Sequence, residues 1–178
     1  RLPLIAPEGK DTRPTTDRIK ETLFNIIQDD VPGAMFLDLF SGSGAIGIEA
    51  LSRGAKQAYL VEFGKEPLQC IKANLAKTHL EDQAVVLPVE VTYAVSKLEK
   101  QGTTFDIIYA DPPYRSGFEE KLAQLIGQSD IVKEDTLVIF ESALETPIDF
   151  IDEDVYEIEK VKEYKTNKHI FLRVKKER

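Results

Sequence analysis

Apolar residues gather along this chain in short, nearly unbroken runs, separated by longer stretches in which apolar and charged positions recur with a helical period. The runs Ala34–Leu39, Gln57–Glu62, Ala84–Val89, Phe105–Ala110 and Thr136–Glu141 predict strands covered on both faces, as in a parallel sheet. Between them, Ala45–Arg53, Pro67–Thr78, Thr92–Gln101 and Phe118–Gln128 predict helices, the first closed by Gly54 as a C-terminal glycine. Strand and helix in alternation predict a doubly wound α/β sheet with right-handed crossovers. Both ends depart from the pattern. Asp154–Glu163 and His169–Lys175 alternate apolar with charged residues, which predicts an antiparallel pair around a Lys165-Thr166-Asn167-Lys168 turn. At the front, Thr15-Thr16-Asp17 offers capping oxygens to a helix over roughly residues 17–28, with Ile19, Leu23, Phe24, Ile26 and Ile27 near one face. The expectation is a seven-stranded, Rossmann-like sheet with a C-terminal hairpin. It forms a single domain, in which residues 1–30 pack as a basic segment and helix on a core of residues 31–178.

Composition narrows the setting. With 178 residues, 42% apolar and 30% charged, the chain can bury a full core without disulfide or metal. A lone cysteine, Cys70, has no partner for an internal disulfide, which fits a reducing compartment. His79 and His169 lie far apart in the sequence with no cysteine or acidic cluster around them, so no zinc site is expected. No apolar run reaches the roughly 20 residues that span a bilayer, and no signal-peptide pattern opens the chain. A cytoplasmic monomer is expected, without membrane or metal.

Net charge of −8 and a pI near 4.9 run against nucleic-acid binding, where affinity comes largely from neutralised phosphates. The charge is uneven, however. Residues 1–20 carry Arg1, Lys10, Arg13, Arg18 and Lys20 against Glu8, Asp11 and Asp17, and residues 160–178 are also basic, whereas 141–159 are acidic. The chain opens at Arg1, so a further N-terminal extension is expected, and together with the basic segment it is expected to supply any RNA-binding face.

Two motifs carry chemistry. Gly42-Ser43-Gly44-Ala45-Ile46-Gly47 joins the first parallel strand to a helix, where glycines allow a tight turn and bring backbone N–H groups close to a ligand. Glu62 ends the next strand, about 20 residues on, where an acid grips a ribose diol. The pairing points to a nucleoside-containing ligand, with NAD and S-adenosylmethionine undivided; without Glu62 it would read as a tight strand-to-helix turn. Asp38 either accepts hydrogen bonds from the loop amides or assists at the ligand's amino-acid end.

The second motif, Asp111-Pro112-Pro113-Tyr114, directly follows the fourth strand. Two prolines fix the backbone and remove two N–H donors, leaving carbonyls free to accept. Beside an acid, such an acceptor array suits an amine N–H₂ held with its nitrogen aimed at an electrophile, while Tyr114 offers a face for an unstacked base. An exocyclic base amine is a poor nucleophile because its lone pair is delocalised into the ring. Hydrogen bonds to Asp111 and the Pro112 carbonyl favour a pyramidal nitrogen, and a sulfonium methyl then needs only in-line placement. The bland alternative is a proline-rich turn with Tyr114 in ordinary packing.

In this order the motifs resemble the class I amino-methyltransferases, and more particularly the bacterial family that methylates guanine N2 in 16S ribosomal RNA. The resemblance runs from about Gly9 to Val174. It rests on Arg13-Pro14-Thr15-Thr16-Asp17-Arg18, Leu23-Phe24-Asn25, Asp38-Leu39-Phe40-Ser41-Gly42-Ser43-Gly44 with Gly47, Glu49, Ala50 and Arg53-Gly54-Ala55, and the Asp-Pro-Pro-Tyr loop. It implies S-adenosylmethionine as donor, with Gly42 and Gly44 near its amino-acid end, Gly47 in the same loop and Glu62 on the ribose. It implies that Arg13, Thr15 and Thr16 fold over the active site, where Arg13 either contacts substrate or forms a structural ion pair. Related sequences carry an Asp after the third strand for the adenine amine. Here Glu90 stands there, and its longer side chain would substitute. Glu141 matches a family acid with a structural role. The implied partner is 16S rRNA or an assembling small ribosomal subunit.

Three other readings remain. A DNA (adenine-N6) methyltransferase uses the same loop, but it normally adds a target-recognition region that 178 residues barely accommodate. A non-catalytic RNA- or nucleotide-binding module would not need Asp111 and Tyr114 intact beside the glycine loop. An NAD-dependent dehydrogenase gives no reason for Asp-Pro-Pro-Tyr.

Overall fold

The computed structural model describes residues 3–5, 16–113 and 117–176. Among the expected site residues, Arg13, Thr15 and Tyr114 lie outside the described residues. The chain falls into two compact units, Arg1–Val91 and Thr92–Arg178, and its seven strands make a seven-stranded mixed sheet.

In the first unit, helix α1 (Asp17–Ile26) precedes β1 (Met35–Leu39), α2 (Ala45–Ser52), β2 (Gln57–Val61), α3 (Lys65–Thr78) and β3 (Ala84–Leu87). A one-turn 3₁₀ helix at Glu81–Gln83, which the periodicity did not predict, leads into β3. The strands are parallel in the order β3-β2-β1, with Met35 opposite Gln57 and Ala58 opposite Ala84. Phe36, Leu37 and Leu39 are fully buried in β1, which explains its unbroken apolar run. Thr16 caps α1, its hydroxyl accepting from the Ile19 N–H at 3.2 Å. Helix α2 is apolar nearly all round and buries Ile46 through Leu51. Its one buried acid, Glu49, takes Arg53 Nε at 2.7 Å and lies 3.7 Å from the buried Lys20. The Arg53 guanidinium also lies 5.3 Å from the Phe24 ring centroid, so α1 is fastened to α2 by both charge and packing.

In the second unit, α4 (Val91–Lys100) leads to β4 (Ile107–Ala110), α5 (Phe118–Gln128), β5 (Leu137–Ala143), β6 (Tyr156–Glu163) and β7 (Asn167–Val174). Strands β4 and β5 are parallel, with Ala110 opposite Phe140, and β7 runs antiparallel between β5 and β6. The hairpin turn differs from expectation. It closes over Tyr164–Thr166, with the Tyr164 N–H donating to the Asn167 carbonyl at 2.8 Å, and Asn167 and Lys168 already belong to β7. Two polar residues read as turn residues from sequence. Here Asn167 Nδ2 instead donates to Glu141 (2.8 Å), while Lys168 Nζ donates to the carbonyls of Leu144 (3.1 Å) and Thr146 (2.6 Å). Those partners lie more than 20 residues away and let both side chains be buried. Among the described residues no helix is long and apolar enough to cross a membrane.

Candidate functional site

The glycine loop leaves β1 through a run of unusual backbone. Phe40, Gly42 and Gly44 have φ of +60°, +59° and +85°, so three residues in five occupy the left-handed region. That conformation strains Phe40 by on the order of 1 kcal/mol and is easy for glycine. Two carboxylates fix the loop. Asp38 Oδ2 accepts from the Ser41 hydroxyl at 2.8 Å and from the Gly47 N–H at 3.0 Å. Glu62 Oε1 accepts from the Gly42 N–H at 2.8 Å, while its Oε2 accepts from Gly64 at 2.9 Å and Phe63 at 3.1 Å.

The structure thus brings Asp38, Gly42, Gly44, Gly47 and Glu62 together at the carboxyl ends of β1 and β2. A Cβ placed on Gly42 would meet nothing within 4 Å, so the space over that turn is open to a ligand. An ionised carboxylate has about four acceptor positions, and Glu62 keeps capacity for hydroxyl donors beyond these three amides. Those features fit a nucleoside-containing donor. Gly47 has a different task. A Cβ there would lie 2.8 Å from Leu60 Cδ2, so its bareness lets α2 pack on β2. Asp38 is 1% exposed, and burial, set against its hydrogen bonds from Ser41 and Gly47 and reinforced by the nearby Glu62 charge, pushes its carboxyl up to about 7.

Two residues here escaped the sequence reading. Phe63, adjacent to Glu62, presents a 72% exposed aromatic ring at the carboxyl end of β2. Asn74 is fully buried on α3, where it donates to the carbonyls of Ser43 and Ile5 (both 2.9 Å) and accepts from the Ile5 N–H (2.7 Å). Residues 3–5 are therefore clamped to the glycine loop through one side chain, with Lys77 Nζ holding the Pro3 carbonyl at 2.7 Å. An asparagine within the apolar stripe formed by Cys70, Ile71 and Leu75 was the available signal. Glu90 is exposed between β3 and α4.

In the second unit all four residues of β4 are buried, and Asp111 follows directly, half-buried, with Pro112 buried and Pro113 exposed. A rigid strand thus delivers the acidic end of the loop, as the sequence predicts. A cavity of about 280 Å³ in this unit lies between α5 and residues 149–156. None of the candidate residues lines it, and its Tyr156 hydroxyl already donates to the Ala123 carbonyl at 2.6 Å.

Comparison with known proteins identifies the family and matches the fold. The family described as conserved hypothetical protein 95 matches residues 1–175. Ribosomal RNA small subunit methyltransferase D of Escherichia coli is 38% identical over 142 residues, covering 80% of this chain and 70% of that protein. YlbH of Bacillus subtilis is 38% identical over 138 residues, covering 78% and 75%. The solved structure of yhhF from Escherichia coli superposes with a TM-score of 0.81 at 33% identity, covering 97% of this chain and 91% of that one.

Proposed function

The chain belongs to the conserved hypothetical protein 95 family, the family of ribosomal RNA small subunit methyltransferase D, and we propose that it methylates the exocyclic N2 amine of a guanine in small-subunit ribosomal RNA with S-adenosylmethionine as donor. The observation that carries this reading is the Asp111-Pro112-Pro113 segment set directly on the buried end of β4. The donor-holding residues are those of the first unit. Glu62 accepts from the ribose hydroxyls, Gly42 leaves the space over the turn open, Gly44 supplies the turn's left-handed backbone against Ile48 and Leu60, Phe63 offers a face to the adenine ring, and Glu90 is the candidate for its amine. When bound, the donor supplies a methyl group on a positively charged sulfur.

The chain's own residues do the rest. Asp111 and the Pro112 carbonyl accept the two N–H bonds of the guanine amine, which turns the nitrogen lone pair out of conjugation with the ring. Neither proline N is a donor, so no backbone N–H competes with that amine. Tyr114 stacks on the flipped base, and Arg13, Thr15 and Thr16 contact the RNA. Because the methylated nitrogen is far more acidic than the starting amine, its proton leaves after transfer, with Asp111 positioned to accept it. Positioning and charge, rather than a strong base, supply the rate. The preference for RNA over DNA rests on the relatives, whose names assign them ribosomal RNA as substrate.

The test supplies tritiated S-adenosylmethionine with small-subunit particles, naked rRNA and duplex DNA, and then identifies the modified nucleoside. N2-methylguanine in rRNA is expected, lost in Asp111→Ala while donor binding persists. Label recovered as N6-methyladenine in DNA would overturn the acceptor, and full turnover by Asp111→Ala would overturn the mechanism.

A further inference from the structure

The second unit holds a buried polar cluster that the donor and acceptor loops do not use. Glu141, near the end of β5, is 6% exposed and His169 of β7 is fully buried; they sit opposite each other in register. The Tyr109 hydroxyl donates to Glu141 Oε1, His169 Nε2 lies 2.8 Å from the same oxygen, and Asn167 Nδ2 donates to Oε2 at 2.8 Å. On the other side of the imidazole, His169 Nδ1 lies 2.9 Å from the Tyr164 hydroxyl. The arrangement is consistent through its whole length. Tyr164 donates to Nδ1, Nε2–H donates to Glu141, and Glu141 accepts from three donors as an ionised carboxylate. Burial opposes that charge, yet the hydrogen bonds from His169, Tyr109 and Asn167 hold its carboxyl below the usual range.

A buried carboxylate–histidine pair is weak evidence for stability, because well-packed apolar residues of the same volume serve as well or better. Its placement suggests another use. Tyr109 is the penultimate residue of β4, two positions before Asp111, so the group that pins Tyr109 also pins the strand end from which the acceptor loop springs.

We propose that Glu141 is a positioning residue for methyl transfer. Held by His169 and Asn167, it fixes Tyr109 and thereby the direction in which Asp111 meets the amine. The role rests on the reading of Asp111 as the acceptor of the amine protons. A misplacement of about 1 Å at a reacting group costs on the order of 100-fold in rate, so loosening this one anchor is felt in kcat rather than in donor affinity.

The experiment measures kcat and KM for Tyr109→Phe, Glu141→Gln and the double variant on small-subunit particles, with donor affinity by calorimetry and fold by circular dichroism. Each single change is expected to lower kcat by about 10-fold or more with KM and Kd for the donor within about twofold, and the double variant to be no worse than the poorer single. His169→Gln, which keeps an N–H donor near the Nε2 position, is expected to retain more kcat than His169→Leu. Should Glu141→Gln not fold, Tyr109→Phe and the His169 pair read the same split. Wild-type kcat in Tyr109→Phe, or losses that multiply in the double variant, would overturn the proposal. An active Asp111→Ala would instead overturn the reading beneath it, whereas a dead Asp111→Ala beside a fully active Tyr109→Phe removes the positioning role alone.

Discussion

Asp38 gives the sharpest quantitative expectation, because a buried carboxylate with a raised pKa makes stability depend on pH in a defined direction. Its carboxyl is 1% exposed and moves from 3.8 to about 7 on folding, with burial as the largest cause. The folded chain therefore keeps this proton where the unfolded chain has already lost it. Stability from Asp38 is full below about pH 4, falls as pH climbs toward 7, and stays at its lowest above that. Three units at 1.36 kcal/mol each make the whole penalty about 4 kcal/mol, of which about 2 kcal/mol accrues between pH 5.5 and 8. Asp38→Asn keeps an amide oxygen for the Ser41 hydroxyl and the Gly47 N–H but has nothing to ionise. Urea unfolding of both proteins across that interval tests the point, since every other titrating group is shared and cancels in the difference. The Asn variant should gain about 2 kcal/mol relative to wild type from pH 5.5 to 8. A difference that stays flat, or that moves in favour of Asp38 as pH rises, would refute the argument that burial dominates this carboxylate.

Other expectations follow from the same loop. Gly44→Ala places a Cβ 3.3 Å from both Ile48 Cδ1 and Leu60 Cδ2 at a φ of +85°, so a loss of about 1–3 kcal/mol in urea unfolding and a drop of at least about tenfold in donor affinity by calorimetry are expected. Asn74→Ala strips hydrogen bonds from the Ser43 carbonyl and from both backbone groups of Ile5. It should cost about 2 kcal/mol and raise amide hydrogen exchange at Ile5 before that of β1; equal protection at Ile5 would show that the strap is held by other contacts.

Much of the fold was written in local pattern. Phe118–Gln128 matches its predicted helix end for end, and Ala45 and Ala84 begin the elements that the periodicity assigned to them. Strands buried on both faces need continuous apolar residues, helices need a stripe, and glycine is needed where φ is positive, so each constraint leaves a mark on neighbouring letters. The same logic placed Asp38, Gly42, Glu62 and Asp111 at strand ends and turns, because those are local facts, and so made them candidates for a site. The limits of the N-terminal helix and of the hairpin turn were less legible. Helix α1 stops at Ile26 rather than near Gln28, and Asn167-Lys168 lies in a strand rather than a turn.

What the chain alone could not encode in local pattern was partnership. Gly47 reads as one more loop glycine, and only Leu60 lying against it shows that its bareness serves packing. Asn74, Tyr109 and His169 belong to no motif, yet Tyr109 and His169 converge on the Glu141 carboxylate and Asn74 ties residues 3–5 to the glycine loop. Sequence determined which segments become strand, helix and glycine turn, since those depend on residues a few positions apart. Tertiary structure alone decided which buried polar groups meet, because a hydrogen bond between residues 28, 32 or 69 positions apart exists only once separate elements have packed together.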